Sequence, residues 1–533
     1  MKIIRYLLIF LCFFPSTVFA QQLPKGWHLL PPKQSGYYGI SLEAAYQLLA
    51  EKKLRPAPVV VAVLDDGIDT SHEDLKSVLW INEKEIAGNG LDDDGNGYKD
   101  DLHGWNFLGG ADGRNVLSNS SEWIRVYWRY KTLYEGVSID TSRMNPTQLY
   151  NYALWTKARS GVVGKGMKEE ELDNLRTYIA NAQFSDSLLQ QRFVANEYTV
   201  ARLNTFKANG PLEKEVKAFF LEVFKQFNDP AVTNQFVIKE LQQYVLGEIR
   251  RASGDKIPPE DNRATITGDD ATDTATRYYG NPDVSNSPLM HGTHLAGIIA
   301  ADRNNQKGMK GIADKVKIMM VRTSADGDEH DKDIAMGIRY AVDNGARIIN
   351  MSFGKSLSPD KWMIDDAVRY ALSKDVLLVQ AAGNSKRNID GPDNFPNPYF
   401  LTGDSIAPNW ITVGASDSLG RPAAFSNYGA KVVNVFAPGV AIYSTIPGGD
   451  KYMSWDGTSM AAPVVSGIAA LLRSYFPSLK APEIKRLLEQ SVVKPVALAE
   501  KGDAATKSLD QLCTSGGIVN ALQAVQLAIE SVK

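Results

Sequence analysis

The sequence comprises 533 residues with a formal net charge of -3 at pH 7. A chain of this length exceeds a single ordinary hydrophobic core, so we expect roughly two to four structural units. Because acidic and basic residues nearly balance, the composition excludes a general electrostatic attraction to nucleic acids or to anionic membranes. We therefore expect no nucleic acid partner.

Residues 1–20 have the pattern of a secretory signal peptide. Lys2 and Arg5 form a basic start, an apolar run follows at residues 6–14, and residues 18–20 fit a cleavage site. No later apolar run is long enough to span a bilayer. We therefore expect an exported monomer, periplasmic or extracellular, without stable membrane insertion. Loss of the signal leaves Cys513 as the only cysteine, which excludes an intramolecular disulfide.

Residues 21–55 form a short N-terminal lead, with one amphipathic helix predicted over residues 41–52. A β-branched run follows at residues 59–64 and predicts a strand buried on both faces of a parallel sheet. The run ends in Asp65 and Asp66, at the point where open α/β sheets place ligands and catalytic groups. A solvated turn is an equally good interpretation of these two carboxylates alone.

Residues 91–101 read LDDDGNGYKDD, and their oxygen-bearing residues alternate as in the first part of a calcium-binding loop. His103 stands where such a loop usually ends in a glutamate, so a solvated acidic turn is the alternative. We expect a structural calcium ion here. The predicted ligands are Asp92, Asp94, Asn96, the backbone carbonyl of Tyr98, and Asp100.

From residue 118 to residue 253 the pattern becomes helical. Apolar residues recur at helical spacing in four segments, with charged residues between them. These segments are residues 123–133, 172–179, 219–227 and 236–249. We predict an all-helical insert in which these stripes form a core rather than a ligand site.

His291 and His294 open the next helix, which is rich in small residues. Two histidines three residues apart could share a metal ion. Helical zinc protease motifs, however, use a spacing of four with an intervening glutamate, and both features are absent. We therefore interpret His291 as a candidate acid or base. Strands then alternate with helices, among them a helix predicted over residues 359–373 and a last strand predicted over residues 432–437. This alternation predicts a parallel sheet with helices on both faces.

Three later segments contain candidate catalytic or substrate-binding residues. Residues 350–354 follow a predicted strand and suit pairing with an extended peptide. Asn384 follows another strand, where its amide could serve an oxyanion hole or could only cap a turn. Ser459 follows a glycine turn at the start of a helix, which fits a nucleophile or a simple N-cap.

Asp65, His291 and Ser459 occur in the chain order Asp, His, Ser. Four motifs surround them and Asn384, and they read VAVLDDGID, HGTHLAG, AAGN and GTSMAAP. In this order they resemble the subtilisin-like serine peptidases, or subtilases, over about residues 55–110 and 260–525. The resemblance implies an α/β fold, a three-layer parallel sheet with helices on both faces. It divides the chain into a peptidase domain of residues 56–117 and 254–533 and a helical insert of residues 118–253.

The resemblance also implies the chemistry of an exported serine endopeptidase that acts on protein or peptide substrates without a catalytic cofactor. Ser459 would attack the scissile carbonyl, His291 would transfer the proton, and Asp65 would orient the imidazole. Asn384 would donate to the oxyanion. The implied substrate-binding residues are Ser352, Phe353, Gly354, Ala382 and Gly383.

The sequence raises two alternative functions. One is a catalytically silent protein-binding or peptide-binding protein that uses the same scaffold and the helical insert. The intact set of Asp65, His291, Asn384 and Ser459 argues against it, because a silent site has no chemical need of all four. The other is a serine esterase of the α/β-hydrolase type, which the chain order and the lack of a Gly-x-Ser-x-Gly motif exclude.

Overall fold

The structure is a computed structural model, and it describes residues 23–225, 232–259, 262–285, 291–391, 393–402, 405–495 and 508–532. The predicted signal peptide lies outside these ranges, as does Phe227 at the end of the third helical stripe. None of the helices in the described ranges combines the length and the hydrophobicity that crossing a membrane requires.

In chain order, the strands are β1 (Val59–Asp65), β2 (Gly104–Asn106), β3 (Val316–Arg322), β4 (Ala346–Met351), β5 (Leu377–Ala381), β6 (Trp410–Ser416), β7 (Val435–Pro438), β8 (Ile442–Ile446), β9 (Lys451–Trp455), β10 (Val492–Val493) and β11 (Ile518–Val519). The helices are α1 (Pro32–Ser35), α2 (Leu42–Glu51), α3 (Glu122–Tyr134), α4 (Pro146–Val162), α5 (Glu169–Phe193), α6 (Val200–Thr205), α7 (Gly210–Phe224), α8 (Asn234–Ala252), α9 (Asn262–Thr267), α10 (His291–Ala300), α11 (Asp331–Asp343), α12 (Lys361–Ser373), α13 (Thr458–Tyr475), α14 (Ala481–Gln490) and α15 (Ala521–Ser531).

A nine-stranded sheet in the order β10-β11-β7-β6-β5-β4-β1-β3-β2 lies at the centre of the described residues. Its pairings are parallel except that between β10 and β11. β1 lies between β3 and β4, with Leu64 opposite Val321 and Met351. The predicted α/β class with a parallel sheet is confirmed.

Side chains along β1 point alternately to the two faces of the sheet, and both faces are buried, so its residues are apolar on both sides. Val61 and Val63 belong to the core that also contains residues of α10 and α13, whereas Ala62 and Leu64 belong to the core shared with α11 and α12. The sheet is therefore covered by a helical layer on each face.

Two sequence-based boundaries need correction. The helix predicted from residue 359 begins at Lys361, because Asp331 fixes the preceding turn by accepting hydrogen bonds from Ser358 Oγ and Asp360 N. The strand predicted from residue 432 begins at Val435. The first shift comes from contacts with α11 outside the local pattern, which periodicity alone does not report.

Helices α3 to α8 occupy the region between residues 122 and 252. α3 and α4 form one apolar cluster together with Leu357, and α5 to α8 contribute to a second one together with Ile446 and Met453. Two stripe residues predicted to be core are exposed, Leu133 at 57% and Tyr244 at 54%. Helical spacing marks the direction of a buried face but not the width that a neighbouring helix covers.

Candidate active site

The carboxyl ends of adjacent parallel strands gather the candidate residues at one edge of the sheet. Asp65 is the last residue of β1, Ser352 follows β4, and Asn384 lies shortly after β5. His291 is the first residue of α10, and Ser459 is in the first turn of α13. Since β1, β4 and β5 are neighbours, the topology alone places these positions together.

Asp65 and His291 are in direct contact. The Nδ1 atom of His291 lies 2.9 Å from Oδ1 and 3.0 Å from Oδ2 of Asp65. The Asp65 side chain is 3% exposed, whereas that of His291 is 32% exposed. A carboxylate at Nδ1 favours the tautomer with its proton there, so Nε2 is left as the proton acceptor.

Asp66 fixes the start of the helix that carries His291. Its carboxylate accepts hydrogen bonds from the backbone N–H of Gly292 at 2.8 Å and of His291 at 3.2 Å. An acidic N-cap satisfies free helix donors and stabilises the positive end of the helix dipole. Burial and the neighbouring Asp65 carboxylate raise the pKa of Asp66 to about 7. Asp66 is thus a positioning residue for His291.

The carboxylates around His291 control its protonation. Burial lowers the pKa of this imidazole, but the charges of Asp65, Asp66 and Glu329 outweigh burial and raise it to about 9. An opposite charge nearby favours the protonated form of a histidine. The proton-accepting form of His291 therefore increases as the pH rises toward 9.

Ser459 and Ser352 are joined by a reciprocal pair of hydrogen bonds. Ser459 Oγ donates to the carbonyl of Ser352 at 3.0 Å, and Ser352 Oγ donates to the carbonyl of Ser459 at 2.9 Å. A rotation about the Ser459 side chain would be needed to direct its proton to His291. Catalytic hydrogen bonds are often formed only in the substrate complex.

The Asn384 amide is oriented by Thr458. Asn384 Oδ1 accepts from Thr458 N at 2.9 Å and from Thr458 Oγ1 at 2.8 Å. Because the oxygen is occupied, the Nδ2 donors face the turn at Gly457, where Nδ2 is 3.7 Å from the position that a Cβ would take. This is the geometry of a preorganised amide donor beside Ser459.

The predicted substrate-binding residues border this site. Phe353 is half-buried and packs on the core of the α11 and α12 layer, while Gly354 is exposed. Ala382 is buried. Gly383 has φ of 95°, and a Cβ there would lie 2.6 Å from Asn427 Nδ2, so only glycine fits. The backbone N–H groups of Phe353 and Gly354 make no hydrogen bond within the part of the chain that the structure describes, as an edge for peptide pairing requires.

Comparison with known proteins extends these observations to a family. The model of the Subtilase family matches residues 57–516. The chain belongs to the subtilase family. The resemblance to subtilisin-like peptidases inferred from the four motifs is thereby confirmed.

Several subtilases are similar to this one over part of its length. The Thermophilic serine proteinase of Bacillus sp. (strain AK1) is 38% identical over 255 residues, which is 47% of this chain and 59% of that protein. The chain thus spans less than two thirds of that relative. Thermitase of Thermoactinomyces vulgaris is 35% identical over 272 residues, 50% of this chain and 91% of that protein. A solved protease structure from Pseudoalteromonas arctica PAMC 21717 is 20% identical, with a TM-score of 0.44 and coverage of 94% of this chain and 96% of that one.

In this subtilase, Trp455 covers one side of His291. Its indole stacks on His294 with ring centroids 4.8 Å apart and on His291 at 6.3 Å. Burial lowers the pKa of His294 to about 3, and its Nε2 contacts the carbonyl of Met453 at 3.1 Å. His294 is therefore a neutral, buried side chain that supports Trp455.

The acidic loop forms a carboxylate cluster that contains two of the five predicted ligands, Asp92 and Asp94, together with Glu85, which was not predicted. Carboxylate oxygens of Glu85, Asp92 and Asp94 lie within 4.8 Å of one another. Oxygen donors of this kind suit Ca²⁺. Asp100 is not a member of this group, and its carboxylate accepts hydrogen bonds from Asn89 N at 3.1 Å and from Gly90 N at 2.9 Å.

The other two predicted ligands lie next to this group. Asn96 Oδ1 accepts from Tyr98 N at 2.8 Å, and the Tyr98 side chain is buried. The sequence analysis missed Glu85, which precedes the loop and has no ligand spacing with it. It also missed Asn427, whose Nδ2 donates to Ala382 O at 2.8 Å and whose Oδ1 accepts from Ser385 N at 3.0 Å. No local pattern identifies an asparagine that supports a distant loop.

Proposed function

We propose that this subtilase is an exported serine endopeptidase that hydrolyses peptide bonds in protein or peptide substrates. The observation that carries the proposal is the 2.9 Å contact between His291 Nδ1 and Asp65 Oδ1, at the sheet edge that also holds Ser459 and Asn384. This contact fixes the tautomer that a general base requires. Export is proposed on the signal-peptide pattern of residues 1–20.

In the proposed reaction, Ser459 Oγ rotates from the Ser352 carbonyl toward Nε2 of His291. Its proton passes to Nε2 as Oγ forms a bond to the substrate carbonyl carbon. The negative charge on the carbonyl oxygen is stabilised by Asn384 Nδ2 and the backbone N–H of Ser459. His291 then returns the proton to the leaving amine, and water releases the acyl group by the same steps. Losing the Asn384 donor is expected to lower kcat on the order of 10²- to 10³-fold.

We also propose a structural calcium ion at the acidic loop. Glu85, Asp92 and Asp94 would supply carboxylate oxygens, and Asn96 lies beside them. The ion has no role in bond cleavage. It would hold the loop between β1 and β2, where three acidic side chains otherwise repel one another.

A fluorophosphonate probe tests the proposed chemistry directly. In calcium-loaded protein we expect covalent labelling that is lost in Ser459→Ala and kept in Ser373→Ala, a control at an exposed serine of α12. The silent binding protein is the second candidate, favoured by the hydrogen bond of Ser459 to Ser352 rather than to His291. Folded protein that binds peptides without any labelling would establish that second function instead.

A further inference from the structure

One helix of the insert, α8, is attached to two separate sides of the cleft. Near its start, Phe236 packs against Trp455 with ring centroids 6.2 Å apart, and Trp455 stacks on His291. Near its end, Arg250 Nη2 donates to Asp326 Oδ2 at 2.8 Å in the loop after β3. α8 therefore passes His291 on its way from the β8–β9 hairpin to the β3 loop.

The end of α8 is also connected to the support of the substrate-binding segment. The carbonyl of Gly254 accepts a hydrogen bond from Nε1 of Trp128 on α3 at 2.8 Å. α3 begins at Glu122, whose carboxylate pairs with the buried Nζ of Lys355. Lys355 directly follows residues 352–354. α8, α3 and this segment thus form one connected frame around the candidate catalytic residues.

Between its two attachments, α8 borders open space. Lys239, Gln243 and Gly247 lie between Phe236 and Arg250 at helical spacing, so these five residues share one face. A Cβ added at Gly247 would meet no atom within 4 Å. This face of α8 is therefore open at Gly247.

Lys239 on this face is influenced by the charge of Asp66, the residue that directly follows β1. Burial lowers the pKa of Lys239, and the charges of Glu240 and Asp66 oppose the shift. Since Asp66 directly follows Asp65 at the end of β1, Lys239 lies within electrostatic range of the candidate catalytic residues.

We propose that α8 restricts this cleft to extended, flexible polypeptide segments and excludes the surfaces of folded proteins. This inference rests on the proposed endopeptidase function. The substrate lies between α8 and Ser352–Gly354, paired with that segment as an added strand. Phe236 and Arg250 are separated by about 14 residues, roughly 21 Å of helix. An extended chain covers this distance with about six residues.

Fusion substrates with two stable folded domains and a cleavable linker test the proposal. Linkers of about 4, 8 and 16 residues carry the same cleavage sequence, so that only the shortest fails to span α8. We expect kcat/KM for the shortest linker to be on the order of 100-fold below that for the longest, the loss typical of a substrate held out of position. Equal values for all three linkers in the wild-type protein would overturn the proposal.

Removing one attachment of α8 provides a second measurement. Arg250→Gln breaks the ion pair with Asp326 and is expected to raise the short-linker to long-linker ratio about two- to fivefold, as for the loss of one partly exposed ion pair. Arg251→Gln is the matched control, because Arg251 is 66% exposed and pairs with Glu248 on α8 itself. The control is expected to keep the wild-type ratio. Equal ratios in the two variants would contradict a restrictive role for α8.

Filling the open space tests the same idea without breaking a contact. Gly247→Trp is expected to lower kcat/KM for the longest linker about tenfold or more, whereas Gly247→Ala, which favours the helix, is expected to leave it near wild type. Equal values for the two variants would refute the proposal even if Arg250→Gln failed to fold.

Fluorophosphonate labelling separates the endopeptidase hypothesis from the hypothesis about α8. An unlabelled wild-type protein refutes the endopeptidase, while a labelled protein without linker dependence refutes only the role of α8.

Discussion

The sheet unit and the helical insert both contact the candidate active site, but they are held by different interactions. In the sheet unit, apolar side chains from β1 extend into a core on each face. The insert shares few apolar residues with that unit, among them Leu357 and Met453. Its junction depends instead on buried charges, such as those of Glu122 and Lys355. The position of the candidate catalytic residues is thus set by the sheet, and in our proposal access to them is set by the insert.

The first end of the insert is linked to α11 of the sheet unit through one lysine. Lys355 pairs with Glu122 of the insert and, at 2.8 Å, with Asp331 at the start of α11. The segment that follows the insert is held by the same helix, because Arg263 pairs with Asp333 at 2.6 Å and both side chains are almost fully buried. Breaking a buried ion pair is costly because the remaining charge has no solvent to stabilise it. The insert is therefore a structural part of the molecule, and deleting it would leave Lys355 without its Glu122 partner.

The largest expected effect concerns this junction. Lys355→Met leaves the carboxylates of Glu122 and Asp331 buried without their shared cation. We expect the free energy of unfolding to fall by about 3–5 kcal/mol, as measured by urea denaturation. Arg176→Met in the insert is the control, because Arg176 pairs only with exposed acids on its own helix and the substitution is expected to leave the free energy of unfolding nearly unchanged. Similar losses in both variants would mean that the junction is no stronger than a surface ion pair.

The acidic loop, at which we propose a calcium ion, is expected to give an intermediate effect within the sheet unit. A ligand bound only by the folded state at about 100 times its Kd adds about 2.7 kcal/mol of stability. We expect a strong chelator to lower the Tm of the wild type and of Glu83→Gln, an exposed neighbouring control. Glu85→Gln is expected to show a much smaller difference with and without chelator, whatever its own stability. A Tm in the wild type that is unaffected by chelator would remove calcium from this loop.

The candidate site residues that could be predicted from the sequence are those whose position depends on a single strand or helix. Asp65 ends a β-branched run, and His291 and Ser459 begin helices, so local pattern and motif order were sufficient. Contacts between distant elements were not predictable in this way. Trp455 and Phe236 are more than 200 positions apart, and no periodicity relates them. Glu85 was not predicted for a similar reason, because it joins Asp92 and Asp94 through the folding of the loop and not through a spacing in the sequence.

The smallest expected effect is a shift of the pH profile, and it isolates Asp66 within the sheet unit. His291 acts as a base only when deprotonated, and carboxylates around it raise its pKa to about 9. We therefore expect kcat/KM for a neutral peptide amide to rise with pH up to about 9. Asp66→Asn keeps an acceptor for the α10 N-terminus but removes one negative charge, so its acid limb is expected to lie at lower pH by up to about one unit. Asp112→Asn, an exposed control, is expected to retain the wild-type limb.

As the pH rises, the free energy of unfolding is expected to fall while kcat/KM rises. The folded pKa of His291 lies above the ordinary value of 6.5, so its contribution is fully present below pH 6.5 and is lost as the pH rises through about 9. Asp66 changes the free energy of unfolding in the same direction, because its pKa is also raised in the folded protein. Its contribution is fully present below pH 3.8 and is lost by about pH 7. Urea denaturation at several pH values should show a smaller decline in Asp66→Asn than in the wild type. Superimposable pH profiles of activity and stability in the two proteins would mean that Asp66 acts only as a helix cap.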